Sequence, residues 1–202
     1  MKIIKYEKKK NGKYRVYLEE GGKIDLYEDT IIKNKLLYKK EINKEKIEDI
    51  NNDNNKNDIY NRCLKYIGVR IRSKKELIEY IKRYTEDDII IDEILEKLTS
   101  TNLINDEEFA RAFTHDKLIL TGWGPYKIIN ELRNHNISEE IINKHISNIK
   151  DKDIDERINK QIKKMIKSKK NSKDVRNKIY TSLLSNGYSN EMILRNINKY
   201  NF

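Results

Sequence analysis

The feature that most restricts how this chain can fold is an internal repeat of 51 residues. Apolar residues at helical spacing recur at this step in three copies: Leu77 and Ile81; Ile128, Leu132, Ile142 and Ile146; Ile179, Leu183, Ile193 and Ile197. In the first copy about three extra residues intervene before Ile89, Ile94 and Leu98 resume the pattern. A fixed period of this length is typical of stacked helical units that bury their apolar faces against one another.

Turn and capping residues follow the same period. Ser138 and Ser189 stand at equivalent places before runs of helix-forming residues, where a hydroxyl can accept from a free backbone N–H. Asn136 and Gly187 precede them, and both residue types tolerate the left-handed conformation that ends a helix. The sequence Ser-Lys-Lys-Glu at 73–76 matches a capping box. The repeat therefore includes the turn and the cap as well as the apolar pattern.

The N-terminal part has the pattern of short strands. Alternating large side chains at 2–7, 14–18 and 23–27 are separated by Asn11-Gly12 and Gly21-Gly22. Asn-Gly is suited to a two-residue turn with positive φ at both positions. We expect a small antiparallel meander followed by short helices.

We predict a mostly α-helical protein of tandem three-helix repeats in an elongated array, preceded by this β-meander. An apolar fraction of 37% is small for one globular core, but each unit of an array needs only a narrow apolar stripe. The helix preceding the recurrent pair is expected near 58–70, 106–120 and 154–169. The polar run at 51–57 has no apolar residue and is expected to be a flexible linker. The predicted segments are 1–50 (β-rich extension), 51–57 (linker), 58–105 (repeat 1), 106–150 (repeat 2) and 151–202 (repeat 3).

The sequence offers no pattern typical of an enzyme, a metal site or a cofactor site. No glycine-rich phosphate loop and no nucleophile beside a base are present, and the three histidines lack metal-binding spacing. The single cysteine, Cys63, is predicted to be a core residue rather than a nucleophile. Neither a membrane-spanning apolar run nor a signal peptide is found, so we expect a cytoplasmic protein. We also expect it to be a monomer and to need no cofactor.

The net charge of +10 favours an anionic partner, and its largest share lies at 151–178, with 11 Lys or Arg against 5 Asp or Glu. Within this segment four lysines share one helical face, opposite an apolar face, and form a basic ridge: Lys160, Lys163, Lys164 and Lys167. Further basic groups are Arg70, Arg72, Lys74 and Lys75, and then Lys117, Lys127 and Arg133. A merely solvated face and a codon bias toward lysine explain the charge equally well. Trp123 and Tyr126 flank Gly124-Pro125, where an aromatic side chain could dock on a partner, but packing between helices is the expected role.

Several motifs resemble those of the RecX regulatory family. Residues 70–77, Arg-Ile-Arg-Ser-Lys-Lys-Glu-Leu, are similar to the family signature that opens the second helix of the first repeat. The residues from Leu95 to Phe113, with Asn105-Asp106 and Phe109-Ala110, resemble the passage into the second repeat. Gly124-Pro125 and Ile128, Leu132 and Ile137 look like the next family segment, with Asn136 where glycine is usual. The N-terminal strands resemble the extension of longer members.

This resemblance implies a curved array that binds in the groove of the RecA filament on single-stranded DNA and inhibits ATP hydrolysis and strand exchange. It places the protein in recombination, DNA repair and the SOS response. The expected contact residues are the eleven basic residues named above, with a direct DNA contact also open. Phe109, Leu77, Leu132 and Leu183 are expected in the core.

Two other functions remain open from the residues alone. One is a direct DNA- or RNA-binding protein whose three-helix units enter a groove. Helices of that kind carry base-contacting side chains near their start, and acidic residues there argue against this function. Here the starts carry acidic pairs such as Glu139-Glu140 and Asp87-Asp88. The other is an inert helical adaptor, for which reversing the charge of the ridge would change nothing.

Overall fold

The computed structural model describes residues 1–168 and 174–201. Three antiparallel strands, β1 (Ile3–Lys8), β2 (Lys13–Leu18) and β3 (Lys23–Tyr27), form a sheet in the order β1-β2-β3. Tyr6 faces Val16 and Val16 faces Ile24 in its register. The predicted meander is confirmed.

The first turn of the meander differs from the prediction. Gly12 has a φ of +78°, but Asn11 is not at positive φ, so only one of the two residues is left-handed. The turn is longer than two residues, because the Lys9 N–H donates to Lys13 O at 2.8 Å and the Gly12 N–H donates back to Lys9 O at 3.3 Å. A three-residue loop with one left-handed glycine is a common alternative hairpin geometry.

Two short helices, α1 (Glu28–Lys33) and α2 (Leu36–Lys39), and a 3-10 turn (Lys44–Lys46) follow the sheet. They cover one face of the meander, which would be marginal alone. The core between them is formed by buried aliphatic side chains: Ile3, Val16, Leu18, Leu26, Ile31, Leu36, Ile42 and Ile50.

The expected linker at 51–57 is corrected by the structure, because these residues lie inside a continuous helix, α3 (Ile47–Ile67). Ile50 and Ile59 are buried on either side of the polar run. Within the run, Asn54 Oδ1 accepts the Tyr27 N–H at 2.9 Å, and Asn54 Nδ2 donates to Asp25 O at 3.1 Å. These hydrogen bonds between the Asn54 amide and the backbone of β3 hold the polar run in an ordered helix.

The remaining described chain is helical, in eight further helices: α4 (Lys74–Ile81), α5 (Asp88–Ser100), α6 (Asp106–Asp116), α7 (Pro125–Asn134), α8 (Glu139–Ser147), α9 (Asp151–Ser168), α10 (Val175–Ser185) and α11 (Asn190–Ile197). A π-helical turn, Lys117–Thr121, extends α6. The three first helices of the predicted repeats correspond to α3, α6 and α9. The helix expected at 58–70 ends at Ile67, and Lys169, the expected end of the third, lies outside the described residues.

Helix starts follow the predicted capping residues. Ser138 Oγ accepts the Ile141 N–H at 3.4 Å, and Ser189 Oγ accepts the Met192 N–H at 3.2 Å. Asn136 and Gly187 have φ values of +59° and +86° at the preceding helix ends. Pro125 occupies the first turn of α7, where its missing N–H costs nothing. These local predictions are confirmed.

The chain divides into two compact units, Met1–Arg70 with Leu77–Thr101, and Ile71–Glu76 with Asn102–Phe202. The first contains the sheet and most of α3 to α5. The second contains α6 to α11, and its two apolar clusters share Ile149 at their margin. Leu77, Phe109, Leu132 and Leu183 are all buried, as predicted. The boundaries of the three repeats remain a prediction.

Among residues 1–168 and 174–201, no helix is long and apolar enough to cross a membrane.

Candidate partner-binding surface

The residues at the start of α4 contact the end of α7. We call this contact between helices the first joint of the second unit. The Ser73 hydroxyl is buried and accepts the Glu76 N–H at 3.2 Å, and the Glu76 carboxylate accepts the Ser73 N–H at 3.1 Å. This is the predicted capping box. Ser73 Oγ also lies 3.0 Å from Nδ1 of His135, and Lys75 Nζ donates to Asn134 O at 2.7 Å. The start of α4 is thereby attached to the end of α7.

A second joint connects α7 to the turn between α10 and α11. The Gly124 N–H donates to Asn186 O at 2.7 Å, and the Tyr126 N–H donates to Gly187 O at 3.1 Å. A Cβ on Gly124 would overlap the Gly187 carbonyl, and a Cβ on Gly187 would overlap the backbone of Lys127. Only glycine allows the two backbones to approach this closely.

The two joints are equivalent by the sequence repeat. A step of 51 residues carries Ser73 to Gly124 and Asn136 to Gly187. In both joints the start of a second helix meets the turn between the second and third helices of the next repeat. Equivalent elements of the predicted repeats therefore meet at both joints, through side-chain hydrogen bonds at the first and through backbone contacts at the second.

The predicted basic ridge lies on the solvent side of α9. Its four lysines are exposed, whereas Ile158 and Ile162 on the opposite face are buried in the apolar cluster that α9 forms with α10 and α11. Met165 and Ile166 are half-buried against the same cluster. The predicted division of this helix into a basic and an apolar face is confirmed as far as Ser168.

Gln161 links the ridge helix to the second joint. Its Nε2 donates to Gly122 O at 2.8 Å, and its Oε1 accepts from Asn186 Nδ2 at 3.0 Å. The Tyr188 hydroxyl also donates to Gly122 O, at 3.0 Å. Burial raises the pKa of Tyr188 to about 12, so this donor keeps its proton at neutral pH. The ridge and the joint thus belong to one hydrogen-bonded assembly.

Lys117 and Lys127 meet at the same joint, around the indole of Trp123. The Nζ of each lysine lies 4.5 Å from the centroid of the Trp123 ring, and Lys117 Nζ is also 5.1 Å from that of Phe113. These are cation–π distances. The sequence predicted Trp123 as a packing residue, which the T-shaped contact with Phe113 at 6.4 Å confirms. Tyr126 differs from the prediction, because its side chain is 58% exposed.

Two of the remaining predicted contact residues, Arg72 and Arg133, are engaged by carboxylates of the chain itself. Arg72 NH1 lies 3.6 Å from Glu76 Oε1, and its side chain is only 11% exposed. Arg133 makes a forked contact with Glu139, at 2.6 and 3.0 Å. This hydrogen bonding raises the pKa of Arg133 and lowers that of Glu139. Arg70 is exposed but belongs to the first unit, and Lys74 is exposed at the start of α4.

The structure therefore brings together Lys117, Lys127 and the ridge helix at one joint, and places Lys74, Lys75 and Arg133 around the other joint of the second unit. Sequence reasoning missed the arrangement of two lysines on one indole. The signal for it was present in the spacing of Lys117, Trp123 and Lys127, but a helix of ordinary pitch does not bring the first two residues together. The π-helical turn and the left-handed Gly122 after it do so, and the Trp123 N–H donates to Lys117 O at 3.0 Å.

Cys63 is buried, as predicted for a core residue. Burial raises the pKa of its thiol to about 11, so the thiolate that a nucleophile requires is scarce at neutral pH. No group of three His, Cys, Asp or Glu side chains close enough to hold a metal ion occurs in the described part of the chain.

Fold and surface together define a class, that of helical repeat proteins with basic side chains gathered at the joints between repeats. Residues 60–98 match the family model for the first three-helix domain of RecX, and residues 105–146 match the model for the second. The chain belongs to the RecX family of regulatory proteins.

Individual relatives agree with this assignment. The regulatory protein RecX of Listeria welshimeri serovar 6b is 31% identical over 198 residues, which cover 95% of this chain and 73% of the relative. The one from Streptococcus agalactiae serotype V is 31% identical over 193 residues, covering 96% and 74%.

Two crystal structures share the fold. One, of a regulatory protein RecX, has a TM-score of 0.78 at 24% identity and covers 98% of this chain and 99% of its own. The other, of RecX from Lactobacillus salivarius, has a TM-score of 0.63 at 25% identity and covers 72% of this chain and 96% of its own.

Proposed function

We propose that this protein binds the filament that the RecA recombinase forms on single-stranded DNA, and that it inhibits ATP hydrolysis and strand exchange by that filament. It would thereby restrain recombination and DNA repair. The proposal rests on membership of the RecX family and on one observation of the second unit, that basic side chains gather at joints of repeated geometry.

Repetition of the joints matters because a helical filament also repeats. A binder with several weak contacts at regular intervals gains affinity from each further contact, since the later contacts form within one complex. The exposed ridge on α9 and the lysines at the second joint supply such contacts. The proposed contact residues are Lys74, Lys75, Lys117, Lys127 and the ridge lysines, with Arg70 from the first unit. Arg72 and Arg133 are left out because Glu76 and Glu139 already engage them.

The test is ATP hydrolysis by the RecA of the same organism on single-stranded DNA, with the protein added in substoichiometric amounts. We expect the wild-type protein to lower the rate. A variant with Lys160, Lys163 and Lys164 each changed to Glu should lose this effect, because those side chains are exposed and would repel the anionic filament.

A matched control keeps the same change in net charge. Lys10, Lys23 and Lys39 are exposed lysines of the first unit outside the proposed surface, and their change to Glu should leave inhibition intact. Equal loss in both variants would show a general charge effect. An unchanged hydrolysis rate with wild-type protein, together with absence from sedimented filaments, would overturn the proposal.

A further inference from the structure

Half-buried lysines in this protein do not all pair with a carboxylate. In the first unit, Lys13 Nζ lies 2.8 Å from Asp58 Oδ1, and Lys56 forms an ion pair with Glu93. Lys117 and Lys127 are also half-buried, but within residues 1–168 and 174–201 neither forms a salt bridge. Their ammonium groups contact the aromatic rings of Trp123 and Phe113 instead.

An aromatic ring holds a cation in place without cancelling its charge. The ring quadrupole attracts the ammonium group, but no opposite net charge is brought near it. Both ammonium groups are therefore fixed on one indole, partly removed from water and still positive. Binding an anion there would require little further ordering of the two side chains. The electrostatic attraction would therefore be offset only slightly by lost side-chain entropy.

Two exposed apolar side chains lie close to these cations in the sequence, and they indicate which kind of anion would bind. Leu120, in the π-helical turn, is 76% exposed, and Tyr126, next to Lys127, is 58% exposed. Each stands within three residues of Trp123 in the sequence. The bases of a nucleic acid can stack on an exposed tyrosine, but they offer no aliphatic side chains to cover an exposed leucine. An acidic protein segment can present both carboxylates and apolar side chains.

We propose that Lys117, Leu120, Trp123, Tyr126 and Lys127 form a docking site, the indole surface, for an acidic protein segment that carries apolar side chains. Carboxylates of the segment contact the two ammonium groups, and its apolar side chains cover Leu120 and Tyr126. The inference deepens the proposed function and rests on it for the identity of the partner, because the segment would belong to the protein component of the filament rather than to its DNA.

Trp123 is the one tryptophan of the chain, so tryptophan emission reports directly on this surface. The probe is a short synthetic peptide of glutamates with leucine at every third position and no aromatic residue, added to the full-length protein without RecA. We expect a saturable change in emission. A second peptide with serine in place of leucine should bind roughly tenfold more weakly, because it cannot cover Leu120 and Tyr126.

A double variant, Lys117→Gln with Lys127→Gln, should weaken binding of the leucine peptide by roughly tenfold or more. Lys10→Gln with Lys23→Gln removes the same charge elsewhere and should leave binding unchanged. Circular dichroism verifies that each variant is folded, and the comparison of the two peptides on wild-type protein needs no variant at all.

Three results would overturn the inference: no change in emission with the leucine peptide, equal binding of the serine peptide, or a response to oligothymidylate alone. The last would make the indole surface a nucleic-acid contact. Inhibition of RecA without peptide binding would refute the indole surface and keep the proposed function. Peptide binding without any effect on RecA would refute the proposed function and keep the indole surface as a docking site.

Discussion

Single charged residues of the first unit are held by partners on other elements, and Asp58 on α3 shows this most fully. Its carboxylate accepts hydrogen bonds from Lys13 Nζ at 2.8 Å, Arg62 Nε at 2.6 Å and Tyr27 Oη at 2.9 Å. Burial by itself would raise the pKa of Asp58, but the three donors outweigh burial and hold this pKa at about 2. Burial and the bond to Asp58 raise the pKa of Tyr27 to about 12.

Asp58 should therefore make the stability of the protein depend on pH. Its pKa in the folded state lies below the ordinary value of 3.8, so its contribution is complete above that value and is lost as the pH falls toward 2. Asp58→Asn should lower the free energy of unfolding at pH 7 and flatten its decline between pH 4 and 2. Urea unfolding at a series of pH values measures this, with the exposed Asp49→Asn as control. Parallel curves for Asp58→Asn and wild type would contradict the prediction.

Among the elements, α3 departs furthest from what its sequence suggests. Seven polar residues in a row predicted a linker, because no side chain there can join an apolar core. The segment is instead ordered by amide hydrogen bonds: Asn54 satisfies the backbone at Asp25 and Tyr27, and Asn57 Nδ2 donates to Thr30 Oγ1 at 2.9 Å. Such partners are distant in sequence, so composition and periodicity could not reveal them.

Asn54 and its neighbour Asn55 offer a test of this explanation. Asn54→Ala should lower the free energy of unfolding by about 1–3 kcal/mol, because two backbone groups lose their side-chain partner. Asn55 is exposed, so Asn55→Ala should be neutral or slightly stabilising, since alanine is the better helix former. Chemical denaturation followed by circular dichroism compares the two. An equal decrease in the free energy of unfolding for the two variants would show that the amide contacts do not order α3.

At the scale of the whole molecule, the sequence predicted the features that are determined by residues close to one another in the chain. The caps at Ser138 and Ser189 and the two faces of α9 depend on neighbours within a few turns, and these predictions are confirmed. The lysine pair on Trp123 depends on a π-helical turn and on how that turn leads into α7. Neither has a local signal, which is why the candidate surface could be predicted as a set of basic residues but not as a geometry.

The joint between the second and third repeats depends on Gly187, and substitution there tests how the second unit is assembled. Gly12 and Gly187 both have positive φ, so Ala at either position should cost about 1–2 kcal/mol of backbone strain. At Gly12 an added Cβ meets nothing within 4 Å, whereas at Gly187 it overlaps Lys127. Gly187→Ala should therefore cost about 1–3 kcal/mol more than Gly12→Ala. Equal midpoints of urea unfolding for the two variants would contradict direct backbone packing at the joint.

The continuity of α3 also bears on how genes for such proteins can change. A true linker at 51–57 would absorb an inserted or deleted residue without effect. In a helix, each inserted codon rotates everything after it by about 100° relative to everything before it. One extra asparagine between Asn54 and Asp58 would move Asp58 away from Lys13 and Tyr27. We therefore expect the length of this polar run to be constrained more strictly than the identity of its exposed residues.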